Sequence, residues 1–210
     1  LDALNAKFDL LNEKCIVNHS CYFGATNDNY TEFDKLDKHR VCGIKLFMGS
    51  STGNMLVDKM NSLLKIFNGT DMLIAAHCED QETIKANIEK YRQKYKGADD
   101  IPVNAHPGIR SVPACYASSE LAVRLARIAG ARLHILHVST AKELQLFSDE
   151  PLEDKNITSE ACVAHLLFTL AHYNSLGARV KCNPAVKRKT DREALREATL
   201  QIVEAVHSVL

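Results

Sequence analysis

The stretch VCGIKLFM, residues 41–48, is an apolar run of strand length with a lysine at its centre. Continuous apolar runs of this kind are typical of strands that are covered on both faces, as in a parallel sheet. An unpaired ammonium group is costly to bury among apolar neighbours. Lys45 therefore either extends its amine to solvent or to a carboxylate, or serves a chemistry that needs an apolar environment.

Similar apolar runs recur along the chain, each followed by an amphipathic stretch, and this alternation predicts β-α units with parallel strands. The pattern favours either a doubly wound sheet or a (β/α)8 barrel, in one domain over residues 1–210. Residues 181–185, KCNPA, are predicted as a short extra strand or a loop. Asp80 and Thr140 are predicted helix N-caps. The predicted strands are 14–20, 41–48, 71–77, 132–138 and a weaker 156–162, and the predicted helices are 57–67, 80–96, 117–129 and 190–209.

Composition excludes several partner classes. The 26 basic residues balance 26 acidic ones, which disfavours nucleic acid as a partner. No apolar stretch approaches the length of a membrane span, and no signal peptide is recognisable, so no membrane partner is expected. The seven cysteines form no C-x-x-C pair. These features favour reduced thiols and a cytoplasmic location.

Histidines occupy the carboxyl ends of two predicted strands, where parallel α/β folds place their chemistry. His77 ends the strand 71–77, and His137 lies near the end of 132–138. Side chains alternate along a strand, so His134 and His137 are expected on opposite faces. His137 is the predicted metal ligand, and His134 is expected to be a hydrogen-bonded histidine between the sheet and the helices.

Lys45 can join such a site only if it loses its charge, because an ammonium group cannot bind a cation. Burial lowers the pKa of a lysine and leaves a nucleophilic amine. That amine can form a Schiff base, or react with carbon dioxide to give an anionic carbamate that bridges two metal ions. The residues alone leave both chemistries open beside a solvent-exposed or ion-paired lysine.

The order and spacing of several motifs resemble the dihydroorotase family of the amidohydrolase superfamily, in a form associated with Bacteroidetes-type bacteria. The resemblance covers nearly the whole chain. It rests on FGATNDN (23–29), GIKLFMGSSTGNML (43–56), AHCED (76–80), HPGIRS (106–111), ARLHILHVSTAKEL (131–144), SEACVAHLLF (159–168), KCNPAVK (181–187) and DREAL (191–195).

The resemblance implies a distorted (β/α)8 barrel with two zinc ions that interconverts N-carbamoyl-L-aspartate and L-dihydroorotate in pyrimidine synthesis. Lys45 matches the family's lysine that is carboxylated to bridge the metals, and His77 and His137 match two histidine ligands. Asn54 and Asn183 match substrate-binding positions. The resemblance also draws attention to three residues whose role it leaves open between site and scaffold: His106, Arg110 and His165.

Two family features are missing from the sequence: the H-x-H pair of the first strand and the catalytic aspartate of the eighth strand. The chain therefore resembles an internal fragment of about five parallel strands, from which no catalytic residue is assigned and no activity is expected. An open barrel presents unpaired strand edges, so association with itself as a homo-oligomer, or with the missing segments, is expected.

Three other functions remain open on the sequence. A hydantoinase or allantoinase would keep the lysine and both histidines and differ in its cyclic amide substrate. A non-catalytic assembly subunit would keep the fold. An aldolase-like barrel would use Lys45 as a Schiff-base former, although histidines at neighbouring strand ends favour a metal.

Overall fold

The computed structural model describes residues 1–49, 54–96 and 101–207, and of residues 202–207 only the backbone. Its described residues form one five-stranded sheet, in which every pair of neighbouring strands is parallel. The spatial order of the strands is their order in the sequence, without the reversal that defines a doubly wound sheet. The fold is therefore a portion of a barrel, as predicted. The strands are β1 (Cys21–Gly24), β2 (Val41–Phe47), β3 (Ile74–His77), β4 (Leu133–Ile135) and β5 (Ile157–Ser159).

Strand register divides the sheet into two chemically different faces. Paired residues of parallel strands share a face, and Lys45 pairs with Ala75, which pairs with His134. The opposite face carries Ile44, Leu46 and the other apolar residues of the strands, which pack with apolar residues of the helices in one core cluster. Burial of this second face against the helices holds the sheet together, and the polar side chains are left to the first face.

The helices follow the strands as the periodicity predicts. Asp80 and Thr140 are confirmed as N-caps, since their side chains accept hydrogen bonds from the backbone N–H groups of Thr83 and Glu143. One helix begins at Val112, five residues before its predicted start at 117, because a proline is tolerated in the first turn. The helices are α1 (Asp2–Lys14), α2 (Met60–Asn68), α3 (Gln81–Lys94), α4 (His106–Ile109), α5 (Val112–Ala129), α6 (Ala141–Leu144), α7 (Val163–Leu167), α8 (His172–Leu176) and α9 (Lys189–His207).

The predicted strand at 14–20 is wrong. Residues 2–14 form α1, the segment after it is irregular, and the strand that pairs with β2 begins at Cys21. Ile16 and Val17, which suggested a strand, are 99% and 66% exposed. The buried contact is made instead by Phe23, which packs edge-on against Phe33 with ring centroids 6.1 Å apart.

Parts of two predictions lie outside the described residues, namely positions 50–53 of the 43–56 motif and the end of the last helix at 208–209. Residues 181–185 form a loop without strand pairing, with a cis peptide bond between Asn183 and Pro184. Within the described ranges, every helix is too short or too polar to cross a bilayer.

Two buried histidines hold the 181–185 loop. The Nε2–H of His106 donates to the carbonyl oxygen of Cys182 at 2.9 Å, and that of His165 donates to the carbonyl oxygen of Pro184 at 2.9 Å. The two acceptors flank Asn183. Burial lowers the pKa of both histidines, although each hydrogen bond acts in the opposite direction. Both rings are therefore held neutral by the fold.

Substitution of Leu133 tests whether β4 belongs to the hydrophobic core. It is 0% exposed in β4, and Leu133→Ala should lower the free energy of unfolding by about 3 kcal/mol, because it removes buried methyl groups and leaves a cavity. Leu152→Ala is the matched control, since Leu152 is 73% exposed. Urea unfolding followed by circular dichroism measures both. Equal, small losses would contradict the assignment of β4 to the core.

Substitution of His165 tests the pH dependence of the stability of the fold. In the unfolded chain the ring of His165 takes up a proton near pH 6.5, whereas in the folded protein its pKa is lower. The unfolded state therefore binds more protons below pH 6.5, and the free energy of unfolding falls as the pH drops. His165→Gln keeps a donor for Pro184 and removes this titration. Between pH 7 and pH 5 the variant should lose less stability than the parent chain.

The measurement for His165 is urea unfolding at the two pH values in the presence of a chelator. His39→Gln, at an exposed position, is the control for the substitution itself. Equal pH dependence in the parent chain and the His165 variant would show that this ring is not held neutral.

Candidate metal centre

Two histidine rings meet at the carboxyl end of the sheet. His77 is the last residue of β3 and is 5% exposed, and His137 lies two residues beyond β4. The Nδ1 atom of His77 is 3.0 Å from Nε2 of His137, and the ring centroids are 4.8 Å apart at an interplanar angle of 75°. The structure thus brings together the two histidines that the sequence singled out.

The backbone at His137 turns its ring toward His77. Its φ is 45°, in the left-handed region that residues other than glycine seldom adopt. Such conformations persist where the surrounding structure demands them, and they cluster at functional sites. Because β4 already ends at Ile135, strand alternation does not extend to His137.

The expectation for His134 is therefore wrong in one respect. By its register with Ala75 it lies on the same face as Lys45, and not between the sheet and the helices. Its hydrogen bonding is confirmed, since Nδ1 is 2.8 Å from Oγ1 of Thr158 and Nε2 is 3.5 Å from a carboxylate oxygen of Glu160. His134 is thus partnered by β5 and the segment after it, one layer below the histidine pair.

Lys45 lies on this same face, in the middle of β2. Its amine is 4.1 Å from the centroid of the Phe47 ring and 3.4 Å from the carbonyl oxygen of Leu46. None of the ion pairs found among the described residues includes it. Burial lowers the pKa of Lys45 to about 8, although the charges of Cys78 and Glu160 act in the opposite direction. Lys45 is a half-buried amine that loses its proton more easily than an ordinary lysine.

His137 is held in the neutral form that binds metals. Burial, followed by the charges of His77 and Lys45, lowers the pKa of His137 to about 3. By strand register, Lys45 and His77 also lie on the same face of the sheet. His137 Nδ1 is buried without a hydrogen-bond partner.

A buried carboxylate lies behind His77. Glu79 is 0% exposed, and its Oε2 is 3.1 Å from Nε2 of His77 and also accepts a hydrogen bond from Arg110. Burial alone would raise the pKa of Glu79, but the hydrogen bond from His77 and the charge of Arg110 outweigh it, so the pKa is lowered. The ionised carboxylate only accepts, so Nε2 of His77 carries a proton. In the neutral ring this leaves the lone pair on Nδ1, the atom that faces His137.

The histidine pair fits a zinc ion as part of a ligand set. Two Zn–N bonds of about 2.0–2.1 Å at a tetrahedral angle separate the nitrogens by roughly 3.3 Å, close to the observed 3.0 Å. Among the described residues, no group of three or more histidine, cysteine, aspartate or glutamate side chains is arranged to hold a metal. A modified Lys45, or a residue beyond those that the structure describes, would supply a further ligand.

The two predicted substrate-binding asparagines are both exposed and make no hydrogen bond to the histidine pair. Asn54 follows the carboxyl end of β2, where Leu56 forms a bridge with Phe47. Asn183 lies in the loop held by the two buried histidines described above. The structure thus places both at accessible loop positions and leaves their substrate role a prediction.

A second buried polar cluster was not anticipated from the sequence. The amine of Lys187 donates to Oγ of Ser139 and to the carbonyl oxygen of Ala185, both at 3.0 Å, and is 3.3 Å from Sγ of Cys115. Glu143 is 2% exposed and accepts from Ser119 at 2.7 Å and Thr140 at 2.8 Å. The T-x-x-E capping box at 140–143 signals this partnership in the sequence.

The comparisons with known proteins agree with this geometry. No family model matches the chain. Over 175 residues it is 27% identical to a dihydroorotase from Listeria welshimeri, and over 182 residues 26% identical to a dihydroorotase from Geobacillus kaustophilus. These alignments cover 82% and 84% of this chain, but only 38% and 39% of the relatives.

Solved structures show the same fold. The L-hydantoinase (dihydropyrimidinase) from Arthrobacter aurescens superimposes with a TM-score of 0.81 at 23% identity, over 92% of this chain and 43% of that structure. A D-hydantoinase superimposes with a TM-score of 0.76 at 18% identity, over 94% and 44%. The chain is thus similar in sequence to dihydroorotases over about two fifths of their length, and it shares the fold of the hydantoinases over nearly all of its own length.

Proposed function

We propose that the protein containing this chain is a zinc-dependent dihydroorotase, which interconverts N-carbamoyl-L-aspartate and L-dihydroorotate in pyrimidine synthesis in the cytoplasm. The observation that carries the proposal is the pairing of His77 Nδ1 with His137 Nε2 at 3.0 Å, near a half-buried lysine. The chain spans about two fifths of the curated relatives it matches, so the activity proposed is that of the whole protein.

Each residue of the site has a part in this chemistry. His77 and His137 would hold one zinc ion through the two facing nitrogens. Zinc supplies Lewis-acid polarisation of the ring carbonyl and lowers the pKa of water. The neutral form of His137 suits this role, because a protonated imidazole cannot bind a cation.

Lys45 would take part as a carbamate. Its amine attacks carbon dioxide, the new N–C bond forms, and one amine proton is released to solvent, which leaves an anion in place of a cation. With a pKa of about 8, roughly a quarter of the amine is unprotonated at pH 7.5, against about one part in a thousand for an ordinary lysine. The anion would bridge two zinc ions.

Proton transfer is assigned to a residue outside this chain, since the described residues bring no aspartate to the histidine pair. The 210-residue chain alone is therefore proposed to be inactive, with Asn54 and Asn183 supplying substrate contacts only in the complete enzyme. Closure of the open sheet by missing segments or a second copy would complete the site, and a homo-oligomer is part of the proposal.

A hydantoinase is the second candidate, because solved hydantoinases share this fold. The full-length protein loaded with zinc should open the ring of L-dihydroorotate and fail to open hydantoin or dihydrouracil, measured by ultraviolet absorbance and product chromatography. His137→Asn, which removes one proposed ligand, should reduce zinc content and lower kcat/KM at least 100-fold. Turnover of hydantoin alone would overturn the dihydroorotase assignment, and bound zinc without any turnover would favour a non-catalytic subunit.

Substitution of Lys45 distinguishes the proposed carbamate from a Schiff base. In the full-length protein, Lys45→Ala should abolish activity, and short carboxylic acids should restore part of it, because an added carboxylate can replace the bridging carbamate. Intact-protein mass spectrometry under native conditions should show the mass of one added carbon dioxide on the parent protein and not on the variant. Borohydride trapping of a keto substrate on Lys45 would contradict the proposal.

A further inference from the structure

We propose that Glu79 and Arg110 are positioning residues for His77, and that Arg110 acts on the zinc site through Glu79 without touching substrate. This inference rests on the proposed function in one respect, since it takes His77 to bind zinc through Nδ1. It assigns a role to the acidic residue of AHCED and to the arginine of HPGIRS, two motifs that lie 26 residues apart.

Glu79 connects Arg110 to His77 through its carboxylate. A fully buried carboxylate is unfavourable unless its charge is compensated. Oε2 of Glu79 accepts from Nε2 of His77 and from Nη1 of Arg110, which is itself only 9% exposed. The two donors converge on one oxygen, so a shift of Arg110 changes the acceptor that is offered to His77.

The backbone around both residues is held by independent contacts. Gly49, after β2, packs so closely on Glu79 that an added Cβ would lie 2.7 Å from the Glu79 carbonyl oxygen. Asn87 of α3 donates to the carbonyl oxygen of Ile109 at 2.9 Å, directly before Arg110. The Arg110 N–H in turn donates to the His106 carbonyl oxygen at 2.9 Å. Glu79 and Arg110 are therefore presented from rigid supports.

The hydrogen bond to Glu79 selects one tautomer of His77. A neutral imidazole carries one N–H, and an ionised Glu79 requires it on Nε2, which leaves Nδ1 as the metal-binding atom. If Arg110 were lost, Oε2 of Glu79 would lose the second donor that fixes its position, and its hydrogen bond to Nε2 of His77 would loosen. The tautomer of His77 with its proton on Nδ1, which blocks the ligand position, would then become accessible.

The test uses zinc affinity and tautomer state in the full-length protein. Glu79→Gln keeps the volume but removes the charge, and should weaken zinc binding by 10- to 100-fold, measured by competition with a chromophoric chelator. Glu143→Gln is the matched control, because Glu143 is also buried and accepts from the hydroxyl groups of Ser119 and Thr140 and from the backbone N–H of Ser139, without a histidine or arginine partner. It should change zinc affinity less than threefold, whatever its effect on stability.

Two substitutions of Arg110 provide a second test. Arg110→Lys retains the charge and should bind zinc more tightly than Arg110→Met, with the parent protein tightest. ¹⁵N NMR of the metal-free parent should show the His77 proton on Nε2, and Arg110→Met should show a growing fraction on Nδ1. This readout requires no zinc and no activity, so it separates this inference from the proposed function.

Three results would overturn the inference. One is equal loss of zinc affinity in the Glu79 and Glu143 variants, and the second is a His77 proton on Nδ1 in the parent protein. The third is identical behaviour of the two Arg110 variants. If the parent protein binds no zinc while its His77 proton is on Nε2, the proposed function fails and the positioning role stands.

Discussion

The site depends on one constraint, the in-register pairing of parallel strands. Register places Lys45 beside Ala75 and Phe47 beside His77, so the lysine and the first histidine share a face of the sheet. The opposite face, which holds Ile44, is buried against the helices. A slip of one residue in the register would move the side chains of a strand to the other face, so burial of this face fixes the register. The hydrophobic core therefore orients the polar side chains, although none of them contributes to it.

Within this frame, burial favours the neutral forms of two groups, and partners keep a third group charged. Burial lowers the pKa of His137, which leaves the imidazole neutral, and the pKa of Lys45, which leaves the amine easier to deprotonate than that of an ordinary lysine. Glu79 is more deeply buried than Lys45, but the hydrogen bond of His77 and the charge of Arg110 keep it ionised. The partners of each group, and not only its depth, therefore decide which form burial favours.

The errors of the sequence analysis have a common physical origin. The segment 14–20 has the composition of a strand, yet Ile16 is exposed, because only the register with β2 decides which residues pair. His134 and His137 were separated by alternation, a rule that fails once a strand ends and the backbone takes a left-handed turn. Local pattern describes what a segment can form. The neighbouring strand decides where it begins and ends.

The sequence by itself determined the class of fold and the residues at strand ends, because alternating apolar runs and amphipathic helices have few packed solutions, and the motifs around Lys45, His77 and His137 are specific in order and spacing. Only the tertiary structure decided which of these residues meet. It paired His77 with His137, put Glu79 and Arg110 behind the first ring, and left Asn54 and Asn183 on exposed loops. These contacts join residues up to 60 positions apart, and local propensity carries no information about such distances.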